Sequence, residues 1–321
     1  MKRLLRVSGF LLALVLAVPP VWAQKTVRLS IATGPTGGIY YPMGGGMANI
    51  LSKYVPYLEV AAEVTAASVD NCLLLGRERV GLALVVADVG WDAYQGVRRF
   101  NEKIPLRAIV AFYPNHQHIV TLEGRGIGKV ADLKGRRVST GTPGSGTEVK
   151  ALRVLEAYGL DADRDMTRDK LTPGESSNAL KDKKIDAYFW DGGIPTASVT
   201  ELGATPGIKV KLIGHEDAIP KMRDKYGPIY VKGIIPAKTY PWQDADVPIA
   251  VVWNIFVCHE KMKENVVYDI AKTLFDRKQE LVAVHRNARF LSLETQVTGA
   301  SPYPYHPGAL RYFAEKGLKI R

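Results

Sequence analysis

The sequence predicts an α/β protein of two lobes, each a mainly parallel sheet with flanking helices, with a ligand cleft between them. Three observations predict it. Short β-branched runs alternate with helical stretches, the rhythm of strand–helix–strand units and parallel sheets. The rhythm comes in two series, and the chain is long enough to give each a core. Two proline-bearing stretches fall where the chain would cross between them, which keeps connections short.

In the first series, residues 27–32, 59–64, 80–86 and 106–111 read as strands, with helices at 43–54, 69–75 and 87–99. The second has strands at 118–122, 137–140, 186–190 and 210–213, with helices at 148–158, 176–181 and 196–202. After Pro236 come one strand-like run, 250–257, and two helical stretches, 263–277 and 307–316. The expected crossings are Pro114-Asn115 and the stretch from Pro228 to Pro236. This gives one lobe of 24–113 plus 232–321 and a second of 114–231.

Residues 1–23 have the order of an export signal. Lys2, Arg3 and Arg6 form a basic start, a Leu-rich apolar run follows, and Pro19 and Pro20 break it before Val21-Trp22-Ala23. Cleavage is expected after Ala23, with a periplasmic mature chain. The apolar run is short for a membrane span. The formal charge is +11, and +8 without the three basic residues of the signal. Basic pairs such as Arg98-Arg99 and Lys183-Lys184 are scattered, whereas a nucleic-acid footprint would gather them on one face. Cys72 and Cys258 both lie in apolar runs and read as small buried hydrophobes. A disulfide between them stays open, because sequence does not fix their separation.

Four strand-to-helix junctions share one chemistry. The first runs Thr33-Gly34-Pro35-Thr36-Gly37-Gly38-Ile39-Tyr40-Tyr41-Pro42, with proline suited to a first helical turn. The second is Thr65-Ala66-Ala67-Ser68-Val69-Asp70-Asn71, with Ser68 as N-cap. The third, Thr140-Gly141-Thr142-Pro143-Gly144-Ser145-Gly146-Thr147-Glu148, carries an S-x-x-E capping box. The fourth is Trp190-Asp191-Gly192-Gly193-Ile194-Pro195.

Loops at the carboxyl ends of parallel strands are where ligands bind. Helix starts offer free N–H groups and partial positive charge. Two junctions in each lobe, facing one cleft, predict an anion site built without a dedicated arginine. The candidate ligand-binding residues are Gly37, Gly38, Tyr40, Tyr41, Ser68, Asn71, Tyr113, Ser145, Gly146, Thr147, Trp190, Asp191 and Gly192. Tyr188 is a further aromatic beside a junction.

Catalytic readings lack their residues. The 141–147 loop has no lysine where a phosphate loop needs one, and Pro143 replaces the glycine of a nucleophile elbow. His116 and His118 share a strand face without a third metal ligand beside them. The reading is a monomeric binding protein, not an enzyme, with no metal, cofactor or nucleic-acid partner.

The sequence resembles the TAXI family of solute receptors associated with TRAP transporters. The passages that carry the resemblance are Gly37-Gly38-Ile39-Tyr40-Tyr41-Pro42, Ser139-Thr140-Gly141-Thr142-Pro143-Gly144-Ser145-Gly146-Thr147-Glu148, Lys184-Ile185-Asp186-Ala187-Tyr188-Phe189 and Pro304-Tyr305-His306-Pro307-Gly308-Ala309-Leu310-Arg311-Tyr312. The resemblance spans the mature chain. It implies a bilobal, periplasmic-binding-protein-like fold and TRAP membrane subunits driven by an ion gradient. It implies a small organic acid or amino acid ligand, such as glutamate or 2-oxoglutarate. One departure stands out: Ala66-Ala67 occupy the place of two glycines in the family pattern. A periplasmic sensor feeding a signalling receptor would share this architecture. Neighbouring genes for large membrane subunits would favour transport.

Overall fold

The computed structural model describes residues 26–320. The expected export signal and its cleavage point lie outside them.

The first series folds as β1 (Val27–Ala32), α1 (Tyr40–Tyr54), β2 (Leu58–Glu63), α2 (Ser68–Gly76), β3 (Leu82–Val86) and α3 (Ala87–Gln95), and ends on a long strand, β4 (Leu106–Leu122). The second is β5 (Arg137–Ser139), α4 (Gly146–Ala157), β6 (Thr167–Asp169), α5 (Pro173–Lys181), β7 (Ala187–Gly192), α6 (Ala197–Ala204), β8 (Val210–Leu212), α7 (Ile219–Tyr226) and β9 (Val231–Ile235). A second long strand, β10 (Val247–His259), leads to α8 (Glu264–Asp276), α9 (Lys278–Val284), α10 (Leu293–Gln296) and α11 (Pro307–Glu315).

The strands hydrogen-bond in the order β2-β1-β3-β10-β4-β7-β5-β6, with β8 on β4 and β9 on β10. The flanks are parallel: β1 with β2 and β3, and β5 with β6 and β7. These are the pairs that strand–helix–strand units generate. Every antiparallel pair involves β4 or β10. Burial follows the pattern. All five residues of β3 are buried, as a strand covered on both faces requires, whereas β2 at the sheet edge alternates. In α8 the buried residues include Val266, Val267, Ile270, Ala271 and Leu274, one stripe at helical spacing.

Two expected strands, 106–111 and 118–122, are one. β4 passes straight through Pro114 and Asn115. A proline fits there because β7 pairs with β4 only from His116 onward, which leaves one side of Pro114 without a ladder. β10 is also long, at 13 residues. Its 254–258 part pairs with β3 and its 247–251 part with β9. The hydrophobic core forms two clusters. The larger contains Ile31, Met43, Leu84, Phe112, Phe256 and Phe313. The smaller contains Val120, Leu180, Tyr188 and Val199, and also Tyr240 and Ile249. The chain therefore stays packed with the second series beyond β9, and β10 carries it back.

Both cysteines are free and buried, Cys72 on α2 and Cys258 on β10. Among the described residues, no helix is long and apolar enough to cross a membrane.

Candidate functional site

The strand ends of both series meet at one cavity. The first junction supplies Gly38 and Tyr40, the second Ser68, and the third Ser145, Gly146 and Thr147. The fourth supplies Trp190, Asp191 and Gly192, and Tyr113 and Asn115 come from the middle of β4. Close approach across the cleft depends on missing side chains. A Cβ on Gly146 would come within 2.6 Å of Val86 Cγ2, and one on Gly38 within 2.9 Å of Trp190 Cη2.

Three candidates lie elsewhere. Gly37 faces the start of α5, and Tyr41 is exposed on the outer side of α1. Asn71 is fully buried behind the cavity, where its Nδ2 donates to Thr33 O and Leu84 O, both at 2.7 Å. Tyr188 packs in the smaller core cluster with its hydroxyl 2.9 Å from Ser177 Oγ.

The helix starts also differ from expectation. At the fourth junction the strand, not the helix, reaches the cavity, because β7 extends to Gly192 and α6 begins only at Ala197. A fifth junction takes its place. Leu171 and Pro173 line the wall at the start of α5, whose capping box joins Thr172 and Glu175. Thr172-Pro173-x-Glu175 is a legible N-terminal signal. Sequence alone does not mark it as a strand-to-helix junction, because the strand before it, Thr167–Asp169, has three polar residues and no apolar pattern.

Free N–H groups remain at several of these starts, those of Ser68 on α2 and Gly174 on α5 among them. Among the described residues, the N–H groups of Gly146 and Thr147 at α4 and of Tyr40 at α1 have no protein acceptor. At α2 the Val69 and Asp70 N–H groups donate to Gly144 O from across the cleft, at 3.0 and 3.2 Å. Ser145 is a true N-cap: its Oγ accepts from Glu148 N at 3.0 Å. Thr147 Oγ1 accepts from Asp191 N at 3.3 Å, which ties the helix to β7. Replacing Ser145 with alanine should therefore lower folding stability by about 0.5–2 kcal/mol. Among the described residues its own proton has no protein acceptor and is free for a ligand, so calorimetry should also show about tenfold weaker binding, and an affinity within about twofold of wild type would make Ser145 a cap alone.

Among the described residues that line the cavity, Asp191 alone has an ionisable carboxylate or a cationic group. Burial pushes its carboxyl up to about 6, and Lys150 pulls in the opposite direction. Lys150, on α4, is itself fully buried with Nζ 2.6 Å from Asp191 Oδ1. At that distance the two attract as buried opposite charges. Tyr113 Oη is buried without a partner, and burial raises its pKa well above the usual phenol range. His116 and His118 lie behind this pair, and burial lowers them to about 3 and 4, so both are neutral. Apart from Ser68, Asn115 and Thr142 the remaining wall is apolar: it includes Ile39, Val86, Leu171 and Phe189, with the Trp190 ring fixed by its Nε1 donating to Thr196 Oγ1 at 2.8 Å.

This is a cleft of the two-lobed periplasmic-binding-protein type. The alkanesulfonate-binding protein SsuA from Xanthomonas axonopodis pv. citri, solved with MOPS, is similar in fold. It is 17% identical with a TM-score of 0.51, over 91% of this chain and 85% of that one. A putative L-cystine ABC transporter protein from Listeria monocytogenes is 13% identical with a TM-score of 0.51, over 83% of this chain and 98% of that one. The chain belongs to the NMT1-like family, whose model matches residues 31–317.

Proposed function

We propose that this protein is an extracytoplasmic solute receptor that closes on one small carboxylate-bearing metabolite and delivers it to a membrane permease. The observation that carries the reading is the set of helix starts with unsatisfied N–H groups, α1 and α4 foremost, opening on one largely apolar cavity. Free N–H groups at a helix start favour an anion without any cationic side chain. The ligand carboxylate sits at Gly146 and Thr147, and its body lies against Trp190, Leu171 and Phe189. Glutamate and 2-oxoglutarate carry a second carboxylate for which the lining holds no cation, so the geometry favours a single carboxylate. The TAXI-like passages support TRAP subunits as the partner and the periplasm as the compartment. Uptake by reconstituted subunits under an ion gradient, without ATP, tests the partner.

Tyr113 tests the site itself. Its hydroxyl has no protein partner to lose. Tyr113→Phe should leave the melting temperature within about a degree and weaken carboxylate binding about tenfold, the worth of one hydrogen bond to a charged group. Calorimetry with straight-chain monocarboxylates and 2-amino acids reads both proteins. Equal affinities would remove Tyr113 from the site, and no binding of either series would sink the carboxylate reading.

A further inference from the structure

Ala67 has an unusual backbone. Its φ is 90° and its ψ −144°, near the region essentially reserved for glycine. The other non-glycine residues with positive φ, Glu78, Arg98, Lys183 and Lys238, lie at 52–62°, in the ordinary left-handed turn. A residue held this way costs folding free energy and persists only where its surroundings over-determine it.

The surroundings do so here. Ala67 N donates to Thr65 Oγ1 at 3.0 Å, and Thr65 Oγ1 donates to Asn71 Oδ1 at 2.6 Å. Asn71 N returns to Ala67 O at 2.8 Å. Asn71 is anchored in turn to the ends of β1 and β3 through Thr33 O and Leu84 O. From the other side of the cleft, Gly144 O holds the next two N–H groups of α2. Glycine would take this backbone without strain and expose the same N–H groups. What alanine adds is one methyl group, and Ala67 is part of the cavity wall. Ala66 beside it has no positive φ and is not in that wall; its methyl faces Gly144.

We infer that Ala67 is a specificity-determining residue: its methyl, held on a glycine-type backbone, shortens the cavity and sets the longest ligand chain the receptor accepts. This rests on the carboxylate-receptor reading above. Asn71 is the positioning residue that keeps the methyl in place.

The experiment compares wild type, Ala67→Gly and Ala66→Gly. The probes are the monocarboxylates from acetate to hexanoate and the straight-chain 2-amino acids from glycine to norleucine, titrated by calorimetry. In Ala67→Gly the chain-length limit should move out by one methylene. The first acid rejected by wild type should gain at least about fourfold over its shorter neighbour, the worth of one buried methylene. Ligand-free melts should show Ala67→Gly about 1–4 °C more stable, because released strain exceeds the added chain entropy. Ala66→Gly should keep the length limit and melt slightly earlier. An unchanged limit in Ala67→Gly, or the same shift in Ala66→Gly, overturns the assignment while leaving the receptor reading intact. A lower melting temperature for Ala67→Gly overturns the strain argument. Binding of neither probe series by wild type overturns the carboxylate reading and this inference with it.

Discussion

Replacing Arg153 with alanine should cost about 3–5 kcal/mol of folding stability, because it strips the shared partner from buried carboxylates. Arg153 leaves α4 two turns below the cavity and crosses to α3. Its Nη1 lies 3.3 Å from Asp88 Oδ2 and donates to Tyr230 Oη at 2.6 Å. Its Nη2 donates to Asp92 Oδ2. Tyr230 Oη donates a hydrogen bond to Asp88 Oδ2 at 2.8 Å, and Arg98 holds the far oxygen of Asp92 at 2.7 Å. The guanidinium lies over the Tyr226 ring, 4.3 Å from its centre. Both aspartates are almost wholly buried, and burial pushes Asp92 up while Arg153 draws it back. Urea denaturation of the variant measures the cost. Adding Asp88→Asn should restore part of the loss, since Arg98 still serves Asp92. A loss under about 1 kcal/mol, the scale of a surface pair, would mean that water reaches this network.

Lys150→Met should be nearly as damaging at neutral pH, again about 3–5 kcal/mol, since a buried carboxylate is left alone. Here the effect depends on pH. The folded-state carboxyl of Asp191 already sits near 6, above its usual 3.8, so the folded chain holds this proton more tightly than the unfolded chain does. A carboxyl raised in this way gives most stability below its unfolded value, and that contribution is lost as pH climbs through the folded one. Without Lys150 the folded value rises further. The deficit of Lys150→Met should therefore be largest at pH 8 and shrink toward pH 5, where Asp191 takes up its proton. Lys150→Met with Asp191→Asn should recover most of it and flatten the profile. A deficit that stays constant from pH 5 to pH 8 would show that lost packing, not lost charge, is responsible.

The parts of this site that were legible in the sequence are those whose chemistry is local. Ser145 and Glu148 form a cap within four residues, and Gly38 and Gly146 mark tight approaches, so turn and cap rules locate them. Asp191 was legible as part of a junction. Its partner was not, because Lys150 reads as an ordinary helical lysine and its burial depends on β7, some forty residues later in the chain. β4 was read as two strands because proline signals a break, and only the sheet order shows that its missing N–H falls beside no neighbour. β9 was overlooked because Gly233 and exposed Val231 and Ile234 hide an edge strand. Asn71 was placed among ligand contacts because an amide at a helix start suits either role. Its three backbone acceptors decide for scaffolding.

β4 and β10 run side by side from one lobe into the other, paired from Leu106 with His259 to His116 with Val251. Mechanically this is a laminated leaf, not a pin joint. A flexible tether lets two bodies swivel and slide, and each closure must then find its register again. A paired ribbon would confine the lobes to bending and twisting about one line, and would keep Gly146 in register with Val86 and Gly38 with Trp190. The leaf is also notched. Its ladder loses register between Asn254 and Ile255 and again between Phe256 and Val257, and such irregularities soften a strand locally. Asn254 at the first notch accepts the Tyr40 hydroxyl at 2.5 Å, and its Nδ2 donates to Tyr113 O and to Asn115 Oδ1, both at 3.0 Å. The compliant point of the leaf is thus wired to the cavity wall, so a bend there would move two of its tyrosines.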